Sequence, residues 1–129
     1  MPERQPVIPA GGSPNPNLSP GIRVGDFLFV SGHVSTDASG NVVGVGDCEA
    51  QSRQVMSNIR GVIAAAGGRM EDVAKITCFL TDMDNYPAYA KVRLETWPSN
   101  PPASSTVGVA ALVRPEFLVE VEAIVRLPD

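Results

Sequence analysis

Residues 117–127 alternate between apolar and polar side chains, and this pattern constrains the fold more than any other stretch of the chain. One face takes the odd-numbered positions Phe117, Val119, Val121, Ala123 and Val125, and the other takes Leu118, Glu120, Glu122, Ile124 and Arg126. A period of two is typical of a strand that packs one face on a core and turns the other outward. The pattern therefore predicts a sheet with one covered face.

A helix is predicted over residues 48–66. Apolar side chains recur there at helical spacing and form a single stripe: Val55, Ile59, Val62, Ile63 and Ala66. Asp47 is placed to cap the N-terminus of this helix, and Gly67-Gly68 is placed to end it.

A strand and a second helix follow. In residues 72–81, Ala74, Ile76, Cys78 and Leu80 share one face, and Lys75, Thr77 and Phe79 share the other. Asp84 or Asn85 is the predicted cap of a helix that runs to about Trp97, with Pro87 in its first turn.

The remaining strands complete an α+β fold. A hairpin over residues 21–31 turns at Gly25-Asp26, a second turn at 37–41 leads to a short strand at 42–45, and a strand at 105–112 precedes the last one. The predicted order is β-β-β-α-β-α-β-β, with two helices on one face of a mixed sheet. Residues 1–17 read as an extended, Pro-rich N-terminal arm, and 18–129 as a single domain.

Several function classes are disfavoured by composition. A net charge of −4 repels phosphate backbones, and no apolar run approaches a membrane span, so neither nucleic acid nor membrane is a predicted partner. Two cysteines, Cys48 and Cys78, are interpreted as free thiols of a cytoplasmic protein, and Cys78 as a core residue. With His33 the only histidine, no metal site is predicted.

Three clusters have the residue types for chemistry. Glu120 and Glu122 share a strand face, where burial and like charge would raise the pKa of one towards that of a general base. An exposed pair balanced by Arg126 or a neighbouring cation explains them equally simply, and periodicity alone favours that interpretation. The hydroxyls of residues 104–106 either start a strand or bind an anion, and Ser31-Gly32 allows close approach of a ligand.

Several segments together resemble the Rid (YjgF-type) family over residues 18–126. They are GDFLFVSG at 25–32, DVAKITCFLTDM at 72–83, PASSTVGV at 102–109 and VEVEAI at 119–124. The resemblance implies a chorismate-mutase-like fold and a homotrimer with small-molecule clefts between subunits. It also implies cofactor-independent hydrolysis of imines or enamines, with Glu120 orienting the water.

The family's deaminases carry an arginine where this chain has Ser104, and that arginine grips the substrate carboxylate. Leu18 stands where they usually have a tyrosine, and Ala90 where they have an asparagine. Arg93, one helical turn beyond Ala90, either relocates the missing charge or is a solvated helix residue, and the second interpretation is the simpler.

The leading hypothesis is a divergent Rid-family hydrolase or deaminase of a small imine, enamine or related carbonyl metabolite. The alternative is a non-catalytic trimer that binds a small metabolite, and RNA cleavage is disfavoured by the acidic composition. Glu120 is the predicted catalytic residue. The predicted substrate-binding residues are Leu18, Ser31, Gly32, Tyr89, Ala90, Arg93, Ser104, Ser105 and Thr106.

Overall fold

A six-stranded mixed sheet and two helices make up the fold in a computed structural model, which describes residues 3–129. The strands lie in the order β1-β2-β3-β6-β4-β5. Only β4 and β5 run parallel, and the helix that joins them is α2; every other neighbouring pair is antiparallel. The elements are β1 (Arg4–Val7), β2 (Gly21–Val24), β3 (Phe27–His33), α1 (Cys48–Ala65), β4 (Val73–Leu80), α2 (Tyr86–Thr96), β5 (Ala103–Gly108) and β6 (Val119–Arg126).

The core lies between the two helices and one face of the sheet. The alternation predicted for the last strand is confirmed, because Val119, Val121, Ala123 and Val125 are all buried. They pack with apolar residues of α1 such as Ile59 in one continuous cluster. The other face of the sheet, here called the open face, exposes Phe27, Phe29, Glu122 and Ile124.

Helix α1 begins and ends as its sequence predicts. The Asp47 carboxylate accepts a hydrogen bond from the Ala50 backbone N–H at 3.0 Å, which satisfies a donor left unpaired in the first turn. Gly67 follows the helix with φ of +83°, a conformation that other residues adopt at a cost.

The fully buried Gln51 ties α1 to the entrance of β6. Its Oε1 accepts from the Leu118 N–H at 2.9 Å, and its Nε2 donates to the carbonyls of Glu116 at 2.9 Å and Gly44 at 3.1 Å. A buried amide with its donors and acceptor satisfied fixes the loop that delivers β6, and with it Glu120.

The predicted order β-β-β-α-β-α-β-β is observed, but one of the first three strands is formed by a segment other than the predicted one. Residues 42–45 do not form a strand and make only one bridge, between Thr36 and Val42. Gly44 and Gly46 have φ of +77° and +75°, which interrupts an extended backbone. The strand that the sequence did not predict is β1, which lies within the predicted N-terminal arm. It pairs with β2 and buries Val7.

Smaller differences concern strand ends and caps. The predicted strand 105–112 is observed at Ala103–Gly108. A register irregularity between Val73 and Lys75 turns Ala74 outward, against the predicted alternation. Asn85 precedes α2 without a side-chain cap hydrogen bond. Within residues 3–129, no helix is long and apolar enough to cross a bilayer.

Candidate functional site

Glu120 lies on the open face of the sheet, opposite Phe79 of β4. Its carboxyl group is half-buried, and burial together with the neighbouring Glu122 raises its pKa above the ordinary value. Neither cation that could balance the pair is paired with Glu120, because Arg126 lies 3.5 Å from Asp26 and Lys75 of the neighbouring strand donates to Ser105 at 3.0 Å. Among residues 3–129, no cationic nitrogen lies within 4.0 Å of a Glu120 oxygen.

A β-bulge beside Glu120 brings the Glu120 carboxylate against the backbone of β3. Val30 pairs with Ala123 and His33 with Val121, so β3 carries one residue more than β6 between these pairs. Gly32 sits in this bulge, and a β-carbon there would lie only 2.9 Å from Cδ of Glu120. Bulges of this kind re-aim side chains and are common next to active sites. Gly32 therefore makes room for the carboxylate.

Ser31 ties the same bulge to the segment that carries Leu18. Its hydroxyl donates to the Ser19 carbonyl at 2.5 Å, and its N–H donates to the Pro20 carbonyl at 2.9 Å. Leu18 itself is largely exposed. Glu120, Gly32 and Ser31 thus form one group, here called the Glu120 half-site, and Leu18 lies in the neighbouring segment that Ser31 binds.

A second group lines a cavity of about 540 Å³ between β5 and α2, here called the β5 cleft. Ser104 and Thr106 face it from the strand, and Tyr86 and Arg93 face it from the helix. The lining residues are completed by Met83, Pro101 and Pro102. Hydroxyls and a guanidinium in one cavity suit an anionic ligand.

Three of the predicted substrate-binding residues lie elsewhere or only border the cleft. Ser105 points the opposite way along β5 and accepts a hydrogen bond from Lys75 Nζ at 3.0 Å. Tyr89 is fully buried in the core. Ala90 is half-buried on α2, at helical spacing between Tyr86 and Arg93.

The two groups occupy different faces of the sheet. Ser104 pairs with Ile76 and Thr106 with Cys78, both of which are buried beneath the helices. Glu120 pairs with Phe79 on the open face. Residues directly opposite in a ladder project to the same face. Within one chain, therefore, the Glu120 half-site and the β5 cleft are separated by the sheet.

Other nucleophiles and bases are poorly placed for catalysis. Burial raises the pKa of the Cys48 thiol and raises that of Cys78 to about 12, so both thiols stay protonated near neutral pH. Burial also lowers the pKa of His33, whose Nε2 lies 3.3 Å from the Pro20 carbonyl. Among residues 3–129, no group of three potential ligands is arranged to hold a metal ion.

The sequence did not identify four residues as parts of the site: Met83, Tyr86, Pro101 and Pro102. A usable signal was present for Tyr86, because Tyr86, Ala90 and Arg93 recur at the spacing of one helix face. In the sequence, only Gly32 pointed to the β-bulge. A single glycine within a strand has several explanations and does not by itself predict a bulge.

The fold and the sequence both match known proteins. The family described as Endoribonuclease L-PSP matches residues 12–127. The yeast protein YEO7 is 27% identical with a TM-score of 0.90, and the match covers 98% of this chain and 100% of that one. YyfA of Yersinia pestis, a Rid-family protein of unknown function, is 29% identical with a TM-score of 0.87, over 97% and 100% of the two chains.

A Thermotoga maritima protein provisionally called an endoribonuclease is 30% identical with a TM-score of 0.86, over 97% of this chain and 99% of that one. The family match spans most of the sequence, and the matched structures share the whole fold rather than one motif. The chain therefore belongs to the Endoribonuclease L-PSP family, which is the YjgF/Rid family.

Proposed function

We propose that this protein is a cofactor-independent hydrolase of a small imine or enamine, with Glu120 as its general acid and base. The observation that carries the proposal is the half-buried Glu120 carboxyl, whose pKa is raised and which no described cation neutralises. A carboxyl group with a raised pKa exchanges protons more readily near neutral pH than an ordinary glutamate does. The Gly32 bulge gives that group a defined position.

The reaction needs one proton carrier and one water molecule. Ionised Glu120 takes a proton from the water as the water oxygen bonds to the imine carbon, and it passes that proton to the imine nitrogen, which gives a carbinolamine. Glu120 then takes the proton of the carbinolamine hydroxyl and delivers it to the amino nitrogen as the C–N bond breaks, which releases ammonia and leaves the carbonyl compound. An enamine first gains a proton at carbon and loses one from nitrogen to become the imine, so the balance is one imine and one water to one carbonyl and one ammonia.

A homotrimer would bring the two halves of the site together. The Glu120 half-site and the β5 cleft lie on different faces of the sheet in one chain, so a small substrate cannot contact both. Phe27 and Phe29 are each 45% exposed on the open face beside Ile124. Exposed apolar side chains grouped on one sheet face favour association. We place the β5 cleft of one subunit against the open face of the next.

A second candidate function is binding without turnover, and Ser104 favours it. The Rid deaminases that this chain resembles have a carboxylate-binding arginine at that position, and a serine hydroxyl supplies no charge. RNA cleavage, the activity in the family's name, fits less well. A chain of net charge −4 attracts a phosphate backbone poorly.

Ammonia release from imines generated in situ by an amino-acid oxidase tests the hydrolase proposal. The wild-type protein is expected to accelerate release, and Glu120→Gln to reduce that acceleration by about 10²–10⁴-fold. Glu122→Gln is the matched control, since it removes an equal charge from the same strand face, and its rate is expected to stay within a few-fold. Equal rates for wild type and Glu120→Gln would exclude Glu120 as the acid and base.

The same assay separates the second candidate function. A wild-type protein that binds the carbonyl product without accelerating ammonia release would favour binding over turnover.

Assembly is tested by sedimentation equilibrium. A mass three times that of the 13.6 kDa chain is expected for wild type. Phe29→Lys places a charge on the open face and is expected to dissociate the trimer and abolish activity. Leu94→Lys is the control, because Leu94 is also an exposed apolar residue but lies on α2, away from the open face, and it should change neither property. A monomeric wild type would contradict the assembly proposed above.

A further inference from the structure

We propose that Arg93 is the charged anchor of the β5 cleft and binds the carboxylate of the substrate, in place of the arginine that is absent at position 104. The inference deepens the proposed function, on which it rests, by assigning the residue of this chain that holds a substrate carboxylate. It moves the anchor from strand β5 to helix α2.

The guanidinium of Arg93 is held in a fixed position at the cleft. Nη2 donates to the Tyr86 hydroxyl at 3.0 Å. Cζ lies 5.5 Å from the centroid of the Tyr86 ring and 5.5 Å from that of the Tyr89 ring. Tyr89 is fully buried, so this second ring is itself immobile within the core. A group already ordered before binding loses little entropy when a ligand arrives.

The charge of Arg93 is not neutralised by the described residues. Arg53, Arg69, Arg114 and Arg126 each have a carboxylate partner within 4.0 Å. In residues 3–129, Arg93 has none, and neither have Arg4, Arg23 and Arg60, but of these four only Arg93 lines the β5 cleft. Tyr86 takes one of the five N–H donors of the guanidinium, which leaves a fork of donors for a carboxylate.

Neutral partners for the same ligand lie across the cavity. Ser104 and Thr106 both present side chains to the β5 cleft. A hydroxyl can donate to a carboxylate oxygen that the guanidinium leaves incompletely bound. An arginine at position 104 would project into this cavity from the strand, so a serine there also leaves space for a ligand that reaches Arg93.

The volume of the cleft bears on the size of the ligand. About 540 Å³ lies within the range of roughly 300–1,000 Å³ that is usual for small-molecule pockets. The cleft therefore has room for a carboxylate of small-metabolite size.

Binding of 2-oxobutanoate to the full chain, followed by NMR through the Arg93 Nε–Hε signal and the Ser104 and Thr106 amides, tests the inference. Wild type is expected to show saturable shifts with 2-oxobutanoate and none with its neutral amide, 2-oxobutanamide. Arg93→Gln is expected to weaken binding at least about tenfold. Arg60→Gln is the matched control, because Arg60 is an exposed arginine of α1 outside the cleft, and its affinity should equal that of wild type.

Two further variants keep the test decisive if Arg93→Gln is poorly folded. Tyr86→Phe keeps the ring and removes the hydroxyl, so it should loosen the guanidinium and weaken binding by a smaller factor, about two- to fivefold. Ser104→Arg in the Arg93→Gln background should restore binding by returning a charge to the same cavity. A wild type that fails to bind, an Arg93→Gln variant that binds like wild type, or an equal loss in Arg60→Gln overturns the inference.

Failure of this inference can be told from failure of the proposed function. Carboxylate binding is measured without turnover, so Arg93-dependent binding combined with an active Glu120→Gln variant would overturn the acid and base role of Glu120 alone. Rapid Glu120-dependent hydrolysis that Arg93→Gln leaves unchanged would overturn the anchor alone.

Discussion

Replacing Gly32 by alanine places one methyl group directly against the proposed catalytic carboxyl group. The new β-carbon would lie 2.9 Å from Cδ and 3.2 Å from Cγ of Glu120. Carbon atoms in contact are normally about 3.5–4.0 Å apart. Gly32 is not among the glycines with positive φ, so alanine suits the backbone and the strain falls on the Glu120 side chain.

The size of the effect follows from this geometry. Oε2 of Glu120 is the atom nearest to the new methyl group, so Cδ must move by at least roughly 0.6 Å before the whole carboxyl group reaches ordinary contact distances. Because glutamate is flexible, the cost in the free energy of unfolding is limited to that of a distorted rotamer, about 0.5–1.5 kcal/mol. Catalysis is more sensitive, since a misplacement of about 1 Å can cost roughly 10²-fold in rate.

A double-mutant cycle isolates the contact. Urea unfolding of Gly32→Ala should show the loss just described when Glu120 is present. In the Glu120→Ala background the clash is gone, and the same change should instead stabilise the fold by about 0.4–1 kcal/mol, because alanine restricts the unfolded chain. The ammonia-release assay, run on Gly32→Ala alone, should show a loss of rate far larger than the loss of stability.

The decisive observation is that Gly32→Ala lowers the free energy of unfolding when Glu120 is present and raises it in the Glu120→Ala background. If Gly32→Ala has the same effect on the free energy of unfolding with and without the Glu120 side chain, then Gly32 does not serve to accommodate that carboxyl group. If Gly32→Ala retains the full rate, the position of the carboxyl group does not govern the reaction.

Three further predictions concern stability and are checked by urea unfolding. The pKa of Glu120 is raised in the folded state, so ionisation of this carboxyl group lowers the free energy of unfolding. That loss is absent below about pH 4.5 and grows as the pH rises through the folded-state pKa. Glu120→Gln should therefore stabilise the protein at pH 7 but not at pH 4, and equal effects at both pH values would contradict this. Asp47→Ala should cost about 1 kcal/mol by leaving the Ala50 N–H without its partner, whereas no loss would show that water replaces the cap. Gln51→Leu should cost at least about 2 kcal/mol and speed hydrogen exchange at the Leu118 amide, and unchanged exchange there would refute the role of Gln51 in holding β6.

Local signals in the sequence predicted most of the fold. The bounds of α1 were predictable because three local signals lie within one short segment and indicate the same helix. These signals are the cap at Asp47, the apolar stripe and Gly67, which has positive φ. The alternation of β6 is clear for the same reason. The strand β1 was missed because Pro6 and its neighbours suggest an extended arm, and its place in the sheet depends on a partner, β2, that is distant in sequence.

Some residues of the candidate site could be named from the sequence, but their arrangement could not. Glu120 and Ser104 were both identified, yet their separation by the sheet depends on the parallel pairing of β4 with β5, which no local pattern encodes. Arg93 was best explained from sequence as a solvated residue. Its place at the cleft depends on Tyr86 and Tyr89, which hold it in the folded structure.

The two edges of the sheet bear on how copies of this protein can meet. Strand β1 is only four residues long and contains Pro6, which lacks an N–H, and β5 follows the Pro101-Pro102 pair. Short edges interrupted or flanked by proline are poor templates for adding another strand, so growth into an extended filament of sheets is disfavoured. The association proposed above uses the open face instead, where a rotation between copies can close upon itself and keep the number of subunits finite.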